Sequence, residues 1–282
     1  MVFESAEASG LGLTTPGDYG YLNKSGCLVS EGWDDKEEYG AMMSALEAIK
    51  ASGDQITVLK SLIAGILHLG NTNFNEESTP EGDVAVVDNQ DALDQAGKCF
   101  GVEPEQIRKV MCEKESKIMG EVIVVQRNAT AARYARNAVA KEMYGRIFDW
   151  VIEQCNISLN EGAAELPYCG VLDIFGFETF KKNDFEQLLI NFTNEVLQAT
   201  FNQQVFIAEA DLYRQEGIAV APVQWPDNRE CVELIASKPG GILTLLDNES
   251  RNPKPSDLKF NASIHKQHQH NPYAPKPHPK DI

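Results

Sequence analysis

The stretch that most constrains the fold is GVLDIFGFETF, which covers residues 170–180. The apolar residues of its first half predict a short strand over 170–175, of the kind that is buried on both faces of a sheet. Asp173 lies within this strand, and a buried carboxylate needs a strong reason because removing an unpaired charge from water is unfavourable. The strand would deliver Asp173, then Gly176 and Glu178, to one edge of a sheet.

Apolar residues at helical spacing predict that most of the remaining chain is helical. The predicted helices cover residues 34–51, 54–70 with Asp54 as its N-cap, 91–100, 104–111 and 130–155, and two short helices flank SKPGG after Gln224. A capping pattern of Asn183 with Glu186 opens a further helix that runs to a stop at Gly217. At ~1.5 Å per residue, its main part would be about 45 Å long. Such a length is typical of a transmission element, and the alternative is a long core helix.

Three other segments are predicted to be strand or loop. The β-branched run Val122–Val125 predicts a hairpin strand. Residues 71–90 mix Asn, Glu, Pro and Gly, which predicts a surface loop. The histidines His265, His268 and His270 have no Cys or carboxylate spaced among them, so a solvated loop is favoured over a metal site.

The charge balance of the chain argues against one class of partner. There are 25 Lys and Arg residues against 42 Asp and Glu residues, a formal net charge of -17 at pH 7. A surface of this charge would repel the phosphates of nucleic acid, so no nucleic-acid partner is expected. No apolar run approaches the ~20 residues that span a bilayer, and the first residues do not resemble a signal peptide. We therefore expect a cytoplasmic protein without direct membrane insertion.

Asp followed by Gly at the end of a buried strand is a known arrangement in phosphate-cleaving proteins. The carboxylate holds the hydration shell of a magnesium ion, and the Gly lets a backbone N–H approach a phosphate oxygen because it has no Cβ. DIFG alone is a weak signal, since Asp and Gly also end strands for reasons of turn geometry. The surrounding sequence has to decide between the two interpretations.

That surrounding sequence resembles the head of myosin motors. DIFGFETF and the following NDFEQLLINFTNEVLQATFNQQVF resemble the switch II loop and the relay helix of this family. Further similar motifs are YLNKSGC at 21–27, LIAGILHLGN at 62–71, AVAKEMYGRIFDWVI at 138–152 and CVELIASKPGGILTLLDNES at 231–250. The resemblance is collinear from Asp18 to His270, and it identifies the chain as a member of the myosin motor-head family.

The resemblance implies a role for each polar position of the opening stretch. Asp173 resembles the carboxylate that hydrogen-bonds a water of the bound Mg²⁺, and Gly176 resembles the backbone donor to the γ-phosphate of ATP. Glu178 resembles the residue that pairs with a switch I arginine and closes the site around the attacking water. Movement of this loop is implied to swing the relay helix, here residues 184–213, and so to drive the lever arm.

The resemblance also implies contacts with actin filaments. The lower-jaw helix–turn–helix at 228–249 would present a tight exposed tip of Pro239, Gly240 and Gly241, flanked by Ile242 and Leu243, and these five residues would contact actin. A purely structural hairpin would also use Pro and Gly at such a turn.

A second implied actin contact lies in the upper jaw. The family position sixteen residues before an Asp-Ala-Leu-Ala-Lys-like motif is either acidic or phosphorylatable. Here the motif reads NAVAK and begins at Asn137, where the family often has Asp, so the position is Glu121. Its permanent charge would replace the charge that phosphorylation adds. The alternative is an ordinary solvated charge on a hairpin.

Two motifs of the family are missing from this sequence. There is no G-x-x-x-x-G-K-[ST] phosphate loop, and there is no NxNSSRFG-like switch I with its arginine. Phosphoryl transfer depends on positioned cations and donors around the γ-phosphate, so this chain alone is predicted not to hydrolyse ATP. Its function would lie in the complete head. The alternative is a non-catalytic actin-binding or interaction module that lacks a nucleotide site.

The predicted fold class is α-rich α/β, a partial P-loop-NTPase-type motor domain that is mostly helical with one or a few strands of a core sheet. Four domains are predicted: 1–169 as an upper-jaw-like helical subdomain, 170–217 as switch II and relay helix, 218–270 as the lower-jaw helix–turn–helix, and 271–282 as a Pro-rich loop or tail. The implied partners are actin filaments and the rest of the motor head, and the implied location is cytoplasmic and cytoskeleton-associated.

Overall fold

The computed structural model describes residues 6–80, 82–118, 121–160, 167, 169–219, 221, 227–252 and 255–274. These residues form α-helices and two small antiparallel sheets, which confirms a helix-rich α/β chain. The chain divides into two compact units, Met1–Pro167 and Tyr168–Ile282. Within the described parts, no helix is both long enough and apolar enough to cross a bilayer.

The first unit combines six α-helices, a short 3-10 helix (Pro16–Asp18) and both hairpins among its described residues. Its elements are α1 (Ala6–Gly10), α2 (Asp35–Ala48), α3 (Gly53–Asn71), β1 (Phe74–Thr79), β2 (Gly82–Val87), α4 (Gln90–Phe100), α5 (Pro104–Cys112), β3 (Glu113–Ile118), β4 (Glu121–Gln126) and α6 (Ala129–Leu159). The predicted helices of this unit are therefore confirmed, with small shifts at their ends.

The second unit is helical in its described residues. Its elements are α7 (Phe185–Phe201), a π-helical segment (Asn202–Ala208), α8 (Glu209–Gln215), α9 (Arg229–Ala236), α10 (Ile242–Ser250) and α11 (Asp257–Gln267). The two short helices around SKPGG are confirmed as α9 and α10.

Helix α3 begins two residues earlier than the sequence indicates. The predicted cap at Asp54 is wrong, because Ser52 is the N-cap: its Oγ accepts from the backbone N–H of Gln55 at 3.2 Å. The Gln55 side chain in turn accepts from the backbone N–H of Ser52 at 2.8 Å. This reciprocal capping box satisfies the backbone N–H groups of Ser52 and Gln55, which would lack these partners if Asp54 were the cap.

The surface loop predicted for residues 71–90 is wrong, because most of this segment is a β-hairpin. Strands β1 and β2 pair in register from Phe74 opposite Val87 to Thr79 opposite Gly82. Phe74 and Ala85 are buried in the core of the unit, whereas the polar residues of β1 face solvent. The polar residues of this segment therefore belong to the exposed face of strand β1 and not to a loop.

The hairpin strand predicted at Val122–Val125 is confirmed as part of β4, which pairs with β3. The side chains of all four residues are exposed. This hairpin thus presents β-branched residues to solvent in the chain as described.

The core of the first unit lies where α3 meets α4 and α6. Leu69, Leu93 and Met111 are fully buried there. Gly65 of α3 lets the ring of Phe100 approach its backbone, because a Cβ at that position would lie 2.3 Å from Phe100 Cε1. The absence of a side chain at Gly65 therefore sets the spacing between α3 and α4.

The core strand predicted over 170–175 is wrong for this chain. Residues 169–180 form neither strand nor helix, and Val171 and Phe175 are 94% and 79% exposed. Asp173 is exposed as well, so it is not a buried carboxylate here. A strand needs a neighbour for its backbone hydrogen bonds, and the strands among the described residues pair only within their own hairpins.

The loop predicted around the three histidines is also wrong in part. His265 lies on α11, and His268 is the C-cap of this helix. In the described residues there is no group of three His, Cys, Asp or Glu side chains that could hold a metal ion. The last prolines of the predicted Pro-rich tail, within 275–282, lie outside the described residues.

The close approach of Phe100 to Gly65 can be tested by replacing Gly with Ala at this position and at a control position. Gly65→Ala should lower the free energy of unfolding by about 1–3 kcal/mol, because the added methyl overlaps Phe100 in a packed core. Gly145→Ala on α6 is the control, since nothing lies within 4 Å of a Cβ there, and it should raise stability by roughly 0.5–1 kcal/mol. Urea denaturation followed by circular dichroism measures both. Equal midpoints for Gly65→Ala and the parent would contradict the packing described.

Candidate functional site

The segment that carries the predicted site residues leads directly into α7. The Asn183 side chain closes a turn before the helix: its Oδ1 accepts from the Phe180 backbone N–H at 2.9 Å, and its Nδ2 donates to the Phe180 carbonyl at 2.8 Å. Asp184 is the N-cap, and Gln187 reaches back to its backbone N–H at 3.0 Å. The predicted pairing of Asn183 with Glu186 is therefore one residue out of register. Both pairs, Asn183 with Glu186 and Asp184 with Gln187, have residue types that suit a capping box. The turn formed by Asn183 determines that Asp184 is the cap.

Asn191 of α7 holds the motif by two hydrogen bonds to a single residue. Its Oδ1 accepts from the backbone N–H of Glu178 at 2.7 Å, and its Nδ2 donates to the backbone carbonyl of Glu178 at 2.8 Å. The side-chain amide of Asn191 thus supplies the acceptor and the donor that a neighbouring strand would have offered to the Glu178 backbone. Asn191 lies within the helix predicted over 184–213, and the sequence pattern does not indicate this contact.

Asn194, one turn further along α7, makes a second attachment to the same segment. Its Nδ2 donates to the backbone carbonyl of Phe175 at 2.9 Å and to the carbonyl of Ile190 at 2.9 Å. Residues three apart share one face of a helix, so Asn191 and Asn194 together fix the motif along that face. We refer to these two residues as the asparagine clamp.

The predicted nucleotide-binding residues lie on the outer side of this segment. Asp173 is exposed, Glu178 is half-buried, and a Cβ at Gly176 would meet nothing within 4 Å. The backbone at Gly176 is therefore open to approach from solvent. The clamp acts on the backbone of Glu178, which leaves its carboxylate available for a further partner.

These residues fit Mg²⁺ and ATP only in part. Asp173 supplies an acceptor for a metal-bound water, and Gly176 supplies an accessible backbone donor. The nearest lysines in sequence, Lys181 and Lys182, follow the motif, and the Lys182 Nζ lies 3.6 Å from the Asp184 carboxylate. A triphosphate needs several positioned cations, so the described residues of the motif do not make a complete site.

The predicted relay helix over 184–213 is helical from Phe185 onward, but it is not a single α-helix. Between α7 and α8, Asn202–Ala208 adopt π-helical geometry. Asn202 is buried there, and its Oδ1 accepts from Gln198 Nε2 at 3.0 Å. The helical run ends at Gln215, and Gly217 follows with a φ of 72°, as the predicted stop requires.

The predicted actin tip between α9 and α10 is only partly exposed. Pro239 faces solvent, but Gly241 is buried, and Ile242 and Leu243 are half-buried. A Cβ at Gly241 would lie 2.6 Å from the backbone of Ser237, so the turn closes tightly on itself. The expectation of an exposed tip is thus wrong for Gly241, and Gly240 and the flanking Ile242 and Leu243 are only partly exposed.

Helix α11 supports this turn and was missed by the sequence analysis. His268 Nε2 donates to the Gly240 carbonyl at 2.7 Å, and a Cβ at Gly240 would lie 2.8 Å from Gln267 Nε2. Ser256 at the N-cap, Asp257 in the first turn, and His265 and Lys266 in the last turn could have indicated the helix.

Glu121, the second predicted actin contact, is exposed at the first position of β4. It lies opposite Ile118 in the β3–β4 hairpin. The structure thus places it on an accessible strand end.

Comparison with known proteins gives a consistent match along the chain. The sequence profile of the family described as Myosin head (motor domain) matches residues 3–281. The myosin-I heavy chain of Dictyostelium discoideum is 36% identical over 95% of this chain, and Myosin-16 of Arabidopsis thaliana is 36% identical over 90% of it. This chain spans only 11% and 20% of the length of those two relatives.

The asparagine clamp predicts a local change in backbone protection. Asn191→Ala removes both hydrogen bonds to Glu178 and should speed hydrogen exchange of the Glu178 amide by about tenfold. Asn191→Asp keeps an acceptor for that amide but loses the donor to the carbonyl, so its effect should be smaller. Exchange measured by mass spectrometry on peptides covering residues 175–180 reports both.

Thr193→Ala is the control for the clamp variants, because the Thr193 hydroxyl donates only to the Leu189 carbonyl of its own helix. In Thr193→Ala, the Glu178 amide should exchange hydrogen at the same rate as in the parent. Unchanged exchange in Asn191→Ala would show that the clamp does not hold the motif.

Proposed function

Because the chain belongs to the myosin motor-head family, we propose that it is the segment of a motor that couples ATP hydrolysis to movement on actin filaments in the complete head. The observation that carries this proposal is the asparagine clamp. It ties the backbone of the DIFGFETF motif to α7, so a displacement of the motif has to move the helix. A motif that senses the nucleotide state and a helix that reports it are the two parts that such coupling requires.

At the nucleotide, three residues of this chain would act in the complete head. Asp173 would accept a hydrogen bond from a water of Mg²⁺, and the Gly176 N–H would donate to the γ-phosphate of ATP. Glu178 would pair with an arginine and close the site around the attacking water. The open backbone at Gly176 and the unclamped carboxylate of Glu178 support these roles. The phosphate loop and the arginine would belong to other parts of the head, so the chain alone would be inactive.

The rest of the motor head is the first proposed partner. Val171, Leu172, Phe175 and Phe177 are exposed in the chain as described, and consecutive apolar side chains are rarely left in solvent. Pairing of residues 170–175 with neighbouring strands of the head would bury them. This would place the segment in the core sheet of a P-loop-NTPase-type fold.

Actin is the second proposed partner. The turn from Ser237 to Gly241 is held by its own backbone and by α11, and it exposes Lys238 and Pro239. Glu121 would supply a permanent negative charge at the second contact, on the β3–β4 hairpin. A rigid turn loses little conformational entropy on binding, which favours its use in an interface.

The alternative function is a non-catalytic actin-binding or interaction module. The incomplete nucleotide site formed by Asp173, Gly176 and Glu178 within this chain is the reason to consider it. The two functions differ in whether the full-length protein binds ATP, which fluorescent-nucleotide titration measures directly.

The nucleotide role is tested by Glu178→Ala in a complete head that carries this segment. ATP binding should be retained, and steady-state phosphate release should fall at least about tenfold, because closure around the water is lost while the phosphate contacts remain. Glu178→Gln keeps the size of the side chain without its charge and should be equally impaired. Turnover within twofold of the parent would refute this role.

The actin role of the turn is tested by Lys238→Glu, which reverses a charge at its exposed edge without changing buried residues. The affinity for actin, measured by cosedimentation, should fall by about tenfold, as is typical when an interface residue that contributes to binding is replaced. Lys259→Glu makes the same charge change at an exposed position of α11 and should leave binding within twofold. Equal effects of the two variants would indicate a general electrostatic effect rather than a contact.

A further inference from the structure

Asn228, the residue before α9, makes two hydrogen bonds to a single residue of α7. Its Nδ2 donates to the backbone carbonyl of Glu195 at 2.7 Å and to the carboxylate Oε2 of Glu195 at 2.6 Å. Both residues are half-buried. Hydrogen bonds that involve a carboxylate are stronger than neutral ones, and partial burial protects this pair from screening.

The neighbours of Asn228 do not offer a competing attachment to α7. The Asp227 carboxylate pairs with the Arg229 guanidinium, whose hydrogen bonds lower the pKa of Asp227 to about 2. The backbone carbonyl of Asn228 accepts from the N–H groups of Cys231 and Val232 and so opens α9. Asn228 is therefore both the start of α9 and its hydrogen-bonded link to α7.

Glu195 lies next to Asn194 of the asparagine clamp on α7. Burial raises the pKa of the Cys231 thiol, and the nearby negative charge of Glu195 raises it further, which places that charge beside the first turn of α9. A carboxylate in this position is favoured by the positive end of the helix dipole. The motif and α9 thus attach to adjacent residues of one rigid helix.

From α9 the contact continues to the proposed actin turn. Leu234 and Ile235 are buried, and a Cβ at Gly241 would lie 2.8 Å from the Ile235 carbonyl. The turn therefore packs directly on the end of α9. A shift of α9 has to displace the turn, because packed elements of this kind deform little.

We propose that Asn228 and Glu195 are positioning residues that transmit the position of α7 to the turn at 237–241. Their link would make the affinity of the turn for actin depend on the state of the motif. The actin part of this inference rests on the proposed function, whereas the transmission between α7 and the turn does not.

The unpaired amide oxygen of Asn228 allows the link to be broken and restored by substitution. The Asn228 Oδ1 is buried and has no hydrogen-bond partner. Glu195→Gln keeps both acceptors for Asn228 Nδ2 and adds a donor that can reach Oδ1, so it should preserve the link. Asn228→Asp places two carboxylates against each other and should break it. The double variant Asn228→Asp with Glu195→Gln restores a donor and an acceptor and should recover much of the loss.

The first experiment uses hydrogen exchange in the 282-residue chain and needs no actin. Asn191→Ala, which removes the attachment of Glu178 to α7, should speed exchange of the backbone amides between 237 and 243 by about threefold where the link is intact. In the Asn228→Asp background the same change should have no effect on those amides, and in the double-variant background the effect should return. An equal effect in every background, or none in any, would overturn the inference.

The second experiment uses the complete head and compares actin dissociation constants with and without ATP. Asn228→Asp should reduce the ratio of the two constants by about tenfold while the value without nucleotide changes less than twofold. The double variant should restore the ratio. A purely structural role would weaken both constants together without rescue, and this outcome would overturn the inference.

The two experiments separate failure of the inference from failure of the proposed function. A parent head whose actin affinity does not respond to ATP would contradict the proposed function. The exchange experiment would still decide whether Asn228 and Glu195 connect α7 to the turn.

Discussion

The pair of hydrogen bonds between the Asn191 side chain and the Glu178 backbone is the constraint on which the second unit depends. Residues 169–180 form no regular structure, so neither a sheet nor a helix ladder fixes their position. A carboxamide has the donor and the acceptor of a peptide group, and it can therefore satisfy one backbone residue completely. Because Asn194 repeats the attachment at Phe175, the motif follows α7 as a unit.

This arrangement assigns different tasks to the two sides of the motif. The backbone of Phe175 and Glu178 is used for attachment to α7, whereas Asp173 and Gly176 are exposed and the clamp makes no bond to the Glu178 carboxylate. Attachment through backbone atoms leaves side-chain chemistry free for a ligand or a partner. The same principle holds at the turn between α9 and α10, where Gly240 and Gly241 are enclosed and Pro239 remains exposed.

Elements stabilised by contacts between residues close in sequence are predictable from the sequence, and elements that depend on distant residues are not. Helices α2 and α6 were predicted because α2 has acidic residues in its first turn and α6 is rich in Ala, and both signals lie in consecutive residues. The hairpin of β1 and β2 was missed, since its polar residues mark an exposed face that only the pairing with Ala85 and its neighbours reveals. The cap of α3 was misplaced by two residues because Ser52 and Asp54 are both good capping residues, and only Ser52 completes the box with Gln55.

By itself, the sequence determined the helical class of the chain, the order of most helices and the membership of the motor-head family. These properties follow from local hydrogen bonds and from motifs that are contiguous in the chain. Tertiary structure alone decided that residues 170–175 stay unpaired, that Asn191 holds Glu178, and that Gly241 is buried. Each of these depends on a partner that is distant in sequence or on a neighbouring strand, and the free energy of such a contact is absent from any local pattern of residues.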